Sequence, residues 1–270
     1  MRTLRALLLV AASATLAGCI NSSTLIKVKP DGSGTIEQAT LVNTGAMKAM
    51  MPGMTPPGQG AASTVNEADL KRTAERMGKG VRLVSAEPAK AGTFEGSKAI
   101  FAFDDINQVA VSQDPSMSGS TGSDSPFGGG AAQPPENPVK FMLKRNGSTS
   151  TLTVQFQDKP VPADKQMPQG GPDLTDPTVL NMVKTMFDGF KVNIDLEVVG
   201  SIVKTNAEYV NGSRLTLLDL DLGLLFQDQE KLKALQGKVA PGASLSEVKP
   251  YLKDVKGIKI DGPLVTVEFK

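Results

Sequence analysis

The side chains that most often do chemistry are scarce in this chain. Among 270 residues there is no histidine, no tryptophan and a single cysteine, Cys19. Without histidine there can be no Ser-His-Asp triad, no Cys-His pair and no histidine-ligated zinc. One cysteine cannot build a thiolate cluster or a redox pair. The spacing at which a lysine can activate a serine occurs twice, at Ser201/Lys204 and at Ser246/Lys249, but the companion motifs Lys-Thr-Gly and Ser-Asp-Asn are absent. Ser201 also falls in strand-like sequence, where residues three apart point to opposite faces. Ser246 opens a helical stretch, where a first-turn role is the simpler account. Carboxylates recur at Asp104-Asp105, Asp195/Glu197 and Asp219/Asp221. Residues two apart on a strand share a face. Such pairs read either as an acid–base or calcium site, or as the solvated face of a sheet, and the second reading is preferred. Asp31-Gly32-Ser33-Gly34 lacks the later acidic ligands of a calcium loop. No catalytic residue and no metal ligand is assigned.

Met47, Met50, Met51 and Met54 fall at i, i+3, i+4 and i+7. Thioethers at that spacing suit an apolar lid or packing segment, a contact for a partner or for lipid, or a Cu(I) site. Pro52 and Gly53 interrupt any helix there, and an apolar lid or partner contact is the expectation carried forward. Two tyrosines, Tyr209 and Tyr251, make no stacking platform for nucleic acid. No phosphate-binding loop is present, since Gly237-Lys238 is followed by Val239 and Gly78-Lys79 by Gly80.

The one cysteine has a telling setting. Arg2 and Arg5 precede an apolar run from Ala6 to Leu16, interrupted by Ser13 and Thr15, and the run ends in Leu16-Ala17-Gly18-Cys19. Charge followed by a short apolar stretch is the layout of a secretory signal. The stretch falls short of the about 20 residues of a transmembrane helix. Leu16-Ala17-Gly18-Cys19 resembles the lipobox of bacterial lipoproteins. The resemblance implies that residues 1–18 are a signal peptide, that Leu16, Ala17 and Gly18 are read by the signal peptidase, and that Cys19 is lipidated. Its sulfur would carry diacylglyceryl and its new amino terminus an acyl chain; no other cofactor is implied. Each buried CH₂ contributes about 0.8 kcal/mol, so two or three chains anchor stably. The implied location is the bacterial cell envelope. Where there are two membranes, Ile20 in place of an aspartate after the cysteine favours the outer membrane, facing the periplasm.

Removing residues 1–18 takes Arg2 and Arg5 away and leaves 27 of the 29 Lys and Arg against 28 Asp and Glu. That balance offers no basic surface for nucleic acid or anionic lipid. The mature chain is long enough to bury a proper core.

The elements that must position these residues follow from patterning. Residues 19–24 read as a lipidated tether and 25–270 as one globular domain. Gly-, Pro- and Ser-rich loops are expected at 52–63, 112–138 and 158–177. Strands are expected at Ser23–Lys29 and Gly34–Val42 around an Asp-Gly turn, then a helix at Asn66–Met77, then strands at Val81–Ala86 and Ser97–Phe103. Alternation places a hairpin from Val139 to Gln157 around Asn146-Gly147. Asp176-Pro177 opens a helix, and Phe190–Val198 alternates cleanly as a strand. A second hairpin is expected from Ser201–Val210 to Arg214–Leu222. Its second arm changes phase, so a one-residue bulge belongs near Leu217. Helices at Asp228–Leu235 and Ser244–Val255 and strands at Ile258–Ile260 and Leu264–Phe269 complete the chain. The predicted class is α+β, a twisted antiparallel sheet built from hairpins with a few helices packed on one face.

With Asp31-Gly32-Ser33-Gly34 in a hairpin soon after Cys19, and a helix-to-strand passage into Phe103-Asp104-Asp105-Ile106-Asn107, the architecture resembles mycobacterial LppM-type lipoproteins. The resemblance transfers no functional residue. The expectation is a non-enzymatic, membrane-anchored envelope lipoprotein that binds an apolar ligand, a lipid or an envelope protein partner. The alternatives are a structural or assembly scaffold and, behind it, a carboxylate-based hydrolase.

Overall fold

The computed structural model describes residues 20–44, 65–112, 138–156, 176–228, 230–232, 235 and 243–270. Cys19 with Leu16, Ala17 and Gly18, and Met47, Met50, Met51 and Met54, lie outside the described residues.

Strand β1 runs Ile20–Val28 and turns back into β2, Gly34–Asn43, with Ile26 opposite Ile36. Ser22, Thr24, Ile26 and Val28 are buried on one face and the residues between them half-buried on the other. The reversal is held by Asp31, whose Oδ1 accepts from the Ser33 amide at 2.9 Å and the Ser33 hydroxyl at 2.8 Å. Because β1 starts at Ile20, the tether expected at 19–24 is corrected: residues 20–24 already belong to the strand, since Ser22 and Thr24 bury their side chains in register with Ile26.

Helix α1, Glu67–Met77, is capped by Asn66, whose side chain accepts from the Ala68 and Asp69 amides, and it buries Thr73, Ala74 and Met77. Strands β3 (Arg82–Ala91) and β4 (Phe94–Phe103) form a longer hairpin than the sequence predicts. A 3-10 turn, Ile106–Gln108, leads to the short β5, Ala110–Ser112. Strands β6 (Pro138–Asn146) and β7 (Thr149–Gln155) make the expected hairpin. Its two-residue loop is Gly147-Ser148, and positive φ at Gly147 suits the first central position of a type II′ turn.

Helix α2 (Pro177–Phe187) starts at the Asp176 cap with proline in its first turn. Strand β8 (Lys191–Val198) follows, then β9 (Ile202–Thr205), β10 (Val210–Asn211) and β11 (Arg214–Asp221). One turn of helix, α3 (Leu222–Leu225), and α4 (Leu245–Leu252) precede β12 (Ile258–Ile260) and β13 (Leu264–Phe269). Ser244 and Glu247 form a capping box at the start of α4.

The fold is α+β, as patterning predicts, with two sheets where one was expected. The larger has the order β10-β11-β8-β1-β2-β4-β3, with β12 also on β11; the smaller has the order β5-β6-β7-β13-β9. The larger sheet is mixed, because β1 and β8 pair in parallel. The predicted hairpin from Ser201 to Leu222 is corrected as well. Its first arm splits: Ile202–Thr205 pairs with β13 in the smaller sheet, and Val210–Asn211 alone pairs with β11. The bulge near Leu217 is present, as the register with β8 shifts between Thr216 and Leu218.

The chain changes sheet between β8 and β9, where Val199 N still donates to Val28 O at 2.8 Å and Ser201 N donates to Lys270 O at 2.8 Å. It changes again between β12 and β13. Ile26, Val28, Ile36, Phe101, Phe103, Leu196 and Leu215 from the larger sheet meet Val139, Leu152, Val154, Val265, Val267 and Phe269 from the smaller in one core. No helix of the described residues is long and apolar enough to cross a membrane.

Candidate functional site

The face of the larger sheet turned away from that core gathers most of the charged candidates. Pairing fixes who meets whom. Lys191 stands opposite Asp221, Asn193 opposite Asp219, Asp195 opposite Thr216 and Glu197 opposite Arg214, while Lys27 of β1 lies beside Glu197. Asp195 and Glu197 share this face, as their spacing predicts.

The ion pairs on this face fall into three groups, Lys98–Glu37–Lys27, Arg214–Asp195 and Lys191–Asp221. Lys98 Nζ lies 3.7 Å from Glu37 Oε2, and Lys27 Nζ lies 2.7 Å from Glu37 Oε1. The Lys27 ammonium donates to the Glu37 carboxylate and holds it below the ordinary carboxylate range. The same hydrogen bond raises Lys27, and Glu197 adds to that from the neighbouring strand. Arg214 donates to Asp195 Oδ2 through Nε at 3.0 Å and Nη2 at 2.6 Å. Lys191 Nζ lies 2.8 Å from Asp221 Oδ2, and Asp221 Oδ1 caps α3 by accepting from the Leu224 amide at 3.1 Å.

Two features of this face depart from simple pairing. Asp195 is 5% exposed, and its Oδ1 is buried without a hydrogen-bond partner among the described residues. Asp219 is pushed above the ordinary aspartate range, chiefly by burial; Asp195 and Asp221 add to this and Lys259 opposes it.

The remaining candidates have structural roles. Asp104 pairs with Arg82 at 2.9 Å. Asp105 accepts from the Asn107 amide at 2.9 Å and caps the 3-10 turn. Ser201 is tied through its backbone to Lys270, and Lys204 lies on β9 opposite Glu268, so that pair does not converge. In the other pair, Lys249 Nζ is taken by Glu208 Oε1 at 2.5 Å.

A polar cluster that patterning missed surrounds Asp261. It is 5% exposed and accepts from the Gly262 amide at 2.7 Å and the Glu208 amide at 3.1 Å. Burial raises its carboxyl above the ordinary range despite these bonds, and burial also raises the phenol of the neighbouring Tyr209. Its sequence signal, Asp261-Gly262-Pro263, reads as a turn, and it pins the chain where it passes from β12 to β13. Among the described residues no three metal-ligating side chains come together. The carboxylates thus join strands, cap turns and fix crossovers.

No protein-family model matches the chain, and no curated protein matches it. Among solved structures, the folded domain of LppM from Mycobacterium tuberculosis, determined by NMR, aligns over 94% of this chain and 91% of its own, at 12% identity and a TM-score of 0.36.

Proposed function

We propose that the chain is an envelope lipoprotein, anchored through acyl chains on Cys19, whose sheets form a non-enzymatic module for an apolar ligand, a lipid or a protein partner beside the membrane. The observation that carries this reading is Leu16-Ala17-Gly18-Cys19 behind a charged and apolar leader, with β1 beginning at the next residue. The absence of histidine and the structural engagement of the carboxylates support a binding role over hydrolysis. Ile20 after the cysteine favours the outer membrane where there are two. Met47, Met50, Met51 and Met54 supply an apolar contact in this reading.

A scaffold or assembly role is the second reading. It is favoured by β3, a ten-residue strand that among the described residues is paired on one side, with Val84 59% exposed at its bulge. An edge of this kind can take a partner strand.

Mass spectrometry of the membrane-extracted protein tests the anchor. The expected mature chain begins at residue 19, carries diacylglyceryl and acyl mass, and brings a co-purifying lipid if the module binds one. Cys19→Ser is expected to abolish processing and membrane partition. A mature terminus elsewhere, without acyl mass, removes the proposal.

A further inference from the structure

Resting on the anchoring of Cys19, we infer that the end of the larger sheet where β1 begins is a membrane-docking surface, with the half-buried Phe94, Phe190 and Leu222 at its rim lying against the bilayer that holds the lipid. Consecutive Cα atoms are about 3.8 Å apart, so an acylated Cys19 leaves no slack before Ile20. Pairing shows which residues share that end. Ile20 lies opposite Val42, Asn43 opposite Phe94, Asn21 beside Lys191, and Lys191 opposite Asp221. Leu222 N donates to Phe190 O at 3.2 Å and Thr44 N to Thr93 O at 3.1 Å, which closes the row from β4 to β11.

Phe94, Phe190 and Leu222 are each half-buried at this end, and two of its lysines are paired. A Cβ on Gly189 would meet Phe94 Cζ at 2.6 Å, so the Phe94 ring packs on the turn before β8. Phe187 meets Phe190 edge-on at 6.1 Å and stacks on Phe226 at 5.2 Å. Lys90 is paired with Glu95 at 2.7 Å and Lys191 with Asp221 at 2.8 Å. The opposite end of β1 is already occupied. Ser150 Oγ of β7 donates to Pro30 O at 2.9 Å there, and Arg145 of β6 donates to Asp31 O. The bilayer is the occupant because the covalent anchor keeps it at high local concentration against this rim, whichever soluble partner comes and goes.

The chain has no tryptophan, so one introduced indole reports alone. Phe94→Trp, Val42→Trp and Val210→Trp would each be made in the lipidated mature chain and bound to dioleoylphosphatidylcholine vesicles containing brominated acyl chains. Val210 is 43% exposed and lies on β10, opposite Leu215, near the other end of the sheet. Quenching by roughly twofold or more with a blue shift is expected at positions 94 and 42, and neither at 210. Flotation with the vesicles is measured in parallel. Protein that floats while positions 94 and 42 are quenched no more than 210 overturns the docking surface and leaves the anchor standing. Protein that does not float overturns the anchor itself. The two reporters at the rim guard against a local packing defect at Phe94.

Discussion

Replacing Arg214 isolates a carboxylate that water barely reaches. Asp195 keeps 5% of its surface exposed, and Arg214 supplies both hydrogen bonds to its Oδ2. Breaking a fully buried pair costs about 3–5 kcal/mol. The Arg214 side chain is 46% exposed, so solvent screening lowers the figure here. Arg214→Met is expected to lose roughly 2 kcal/mol in urea unfolding, and Asp195→Asn in the same chain to recover more than half of it, because the uncompensated charge is then gone. A single variant indistinguishable from the parent would show that Asp195 draws its stability from elsewhere. Asp219 gives a prediction with the pH written into it. Burial holds its carboxyl above the ordinary value, so the folded chain binds that proton more tightly than the unfolded chain. Ionisation of Asp219 therefore opposes folding at neutral pH, and the opposition vanishes as the pH drops below about 3.9. Asp219→Asn is expected to raise Tm at neutral pH and to lose that advantage in acid. Glu37 carries the opposite sign. Its depressed carboxyl stabilises the fold above its ordinary value, and that contribution is lost as the pH falls through the depressed one. A thermal melt series from acid to neutral pH separates the two, and a gain for Asp219→Asn that persisted in acid would contradict the assigned cause.

At the level of elements, local chemistry was legible and partnership was not. Asn66, Asp176 and Ser244 announce helix starts because a cap is a contact between near neighbours in sequence. The hairpin around Asn146-Gly147 and the bulge at Leu217 are equally local, one set by a turn and the other by a change of alternation. Alternation says which face of a strand is buried but carries no information about which strand lies beside it. The parallel β1·β8 pair and the departure of β9 into the smaller sheet were therefore hidden. The same limit governs the candidate site. That Asp195 and Glu197 share a face could be read directly, whereas Arg214 and Lys27 arrive from other strands. Asp261 was missed because an aspartate before Gly262-Pro263 reads as an exposed turn residue, whereas it is buried and accepts from the Glu208 amide, 53 residues away in sequence. Gly200 tests how closely that two-sheet arrangement is fitted. It sits at φ +140° between β8 and β9, and a Cβ there would lie 2.2 Å from Lys270 O. Gly200→Ala is expected to cost roughly 1–3 kcal/mol and to speed hydrogen exchange at the Ser201 and Lys270 amides, which tie the crossover before β9 to the end of β13 at 2.8 and 3.1 Å. Gly212→Ala is the control, with φ +61° and open space around it. Equal losses at the two positions would mean that backbone strain alone is at work, without a steric closure between the sheets.

For the molecule as a whole, charge decides how an anchored chain would hold its membrane. Counted from residue 19, 27 Lys and Arg face 28 Asp and Glu, and at the end of the larger sheet where β1 begins Lys90 is paired with Glu95 and Lys191 with Asp221. A polybasic grip contributes about 1 kcal/mol per basic residue near an anionic surface, and it fades as added salt shortens the screening length from about 10 Å at 0.1 M to about 3 Å at 1 M. Acyl chains respond differently. Their contribution is burial of hydrocarbon, about 0.8 kcal/mol per CH₂, which salt leaves essentially intact. The proposed lipoprotein belongs to the second regime at every point where it meets the bilayer, through the anchor and through the apolar rim alike. The fraction of lipidated protein floating with vesicles is therefore expected to stay constant from about 0.05 to about 1 M sodium chloride. It should also be the same on pure phosphatidylcholine as on vesicles containing about 30% phosphatidylglycerol. A several-fold fall in bound protein at high salt, or a requirement for anionic lipid, would mean that a basic surface grips the membrane, which neither the charge balance nor the ion pairs of this end provide.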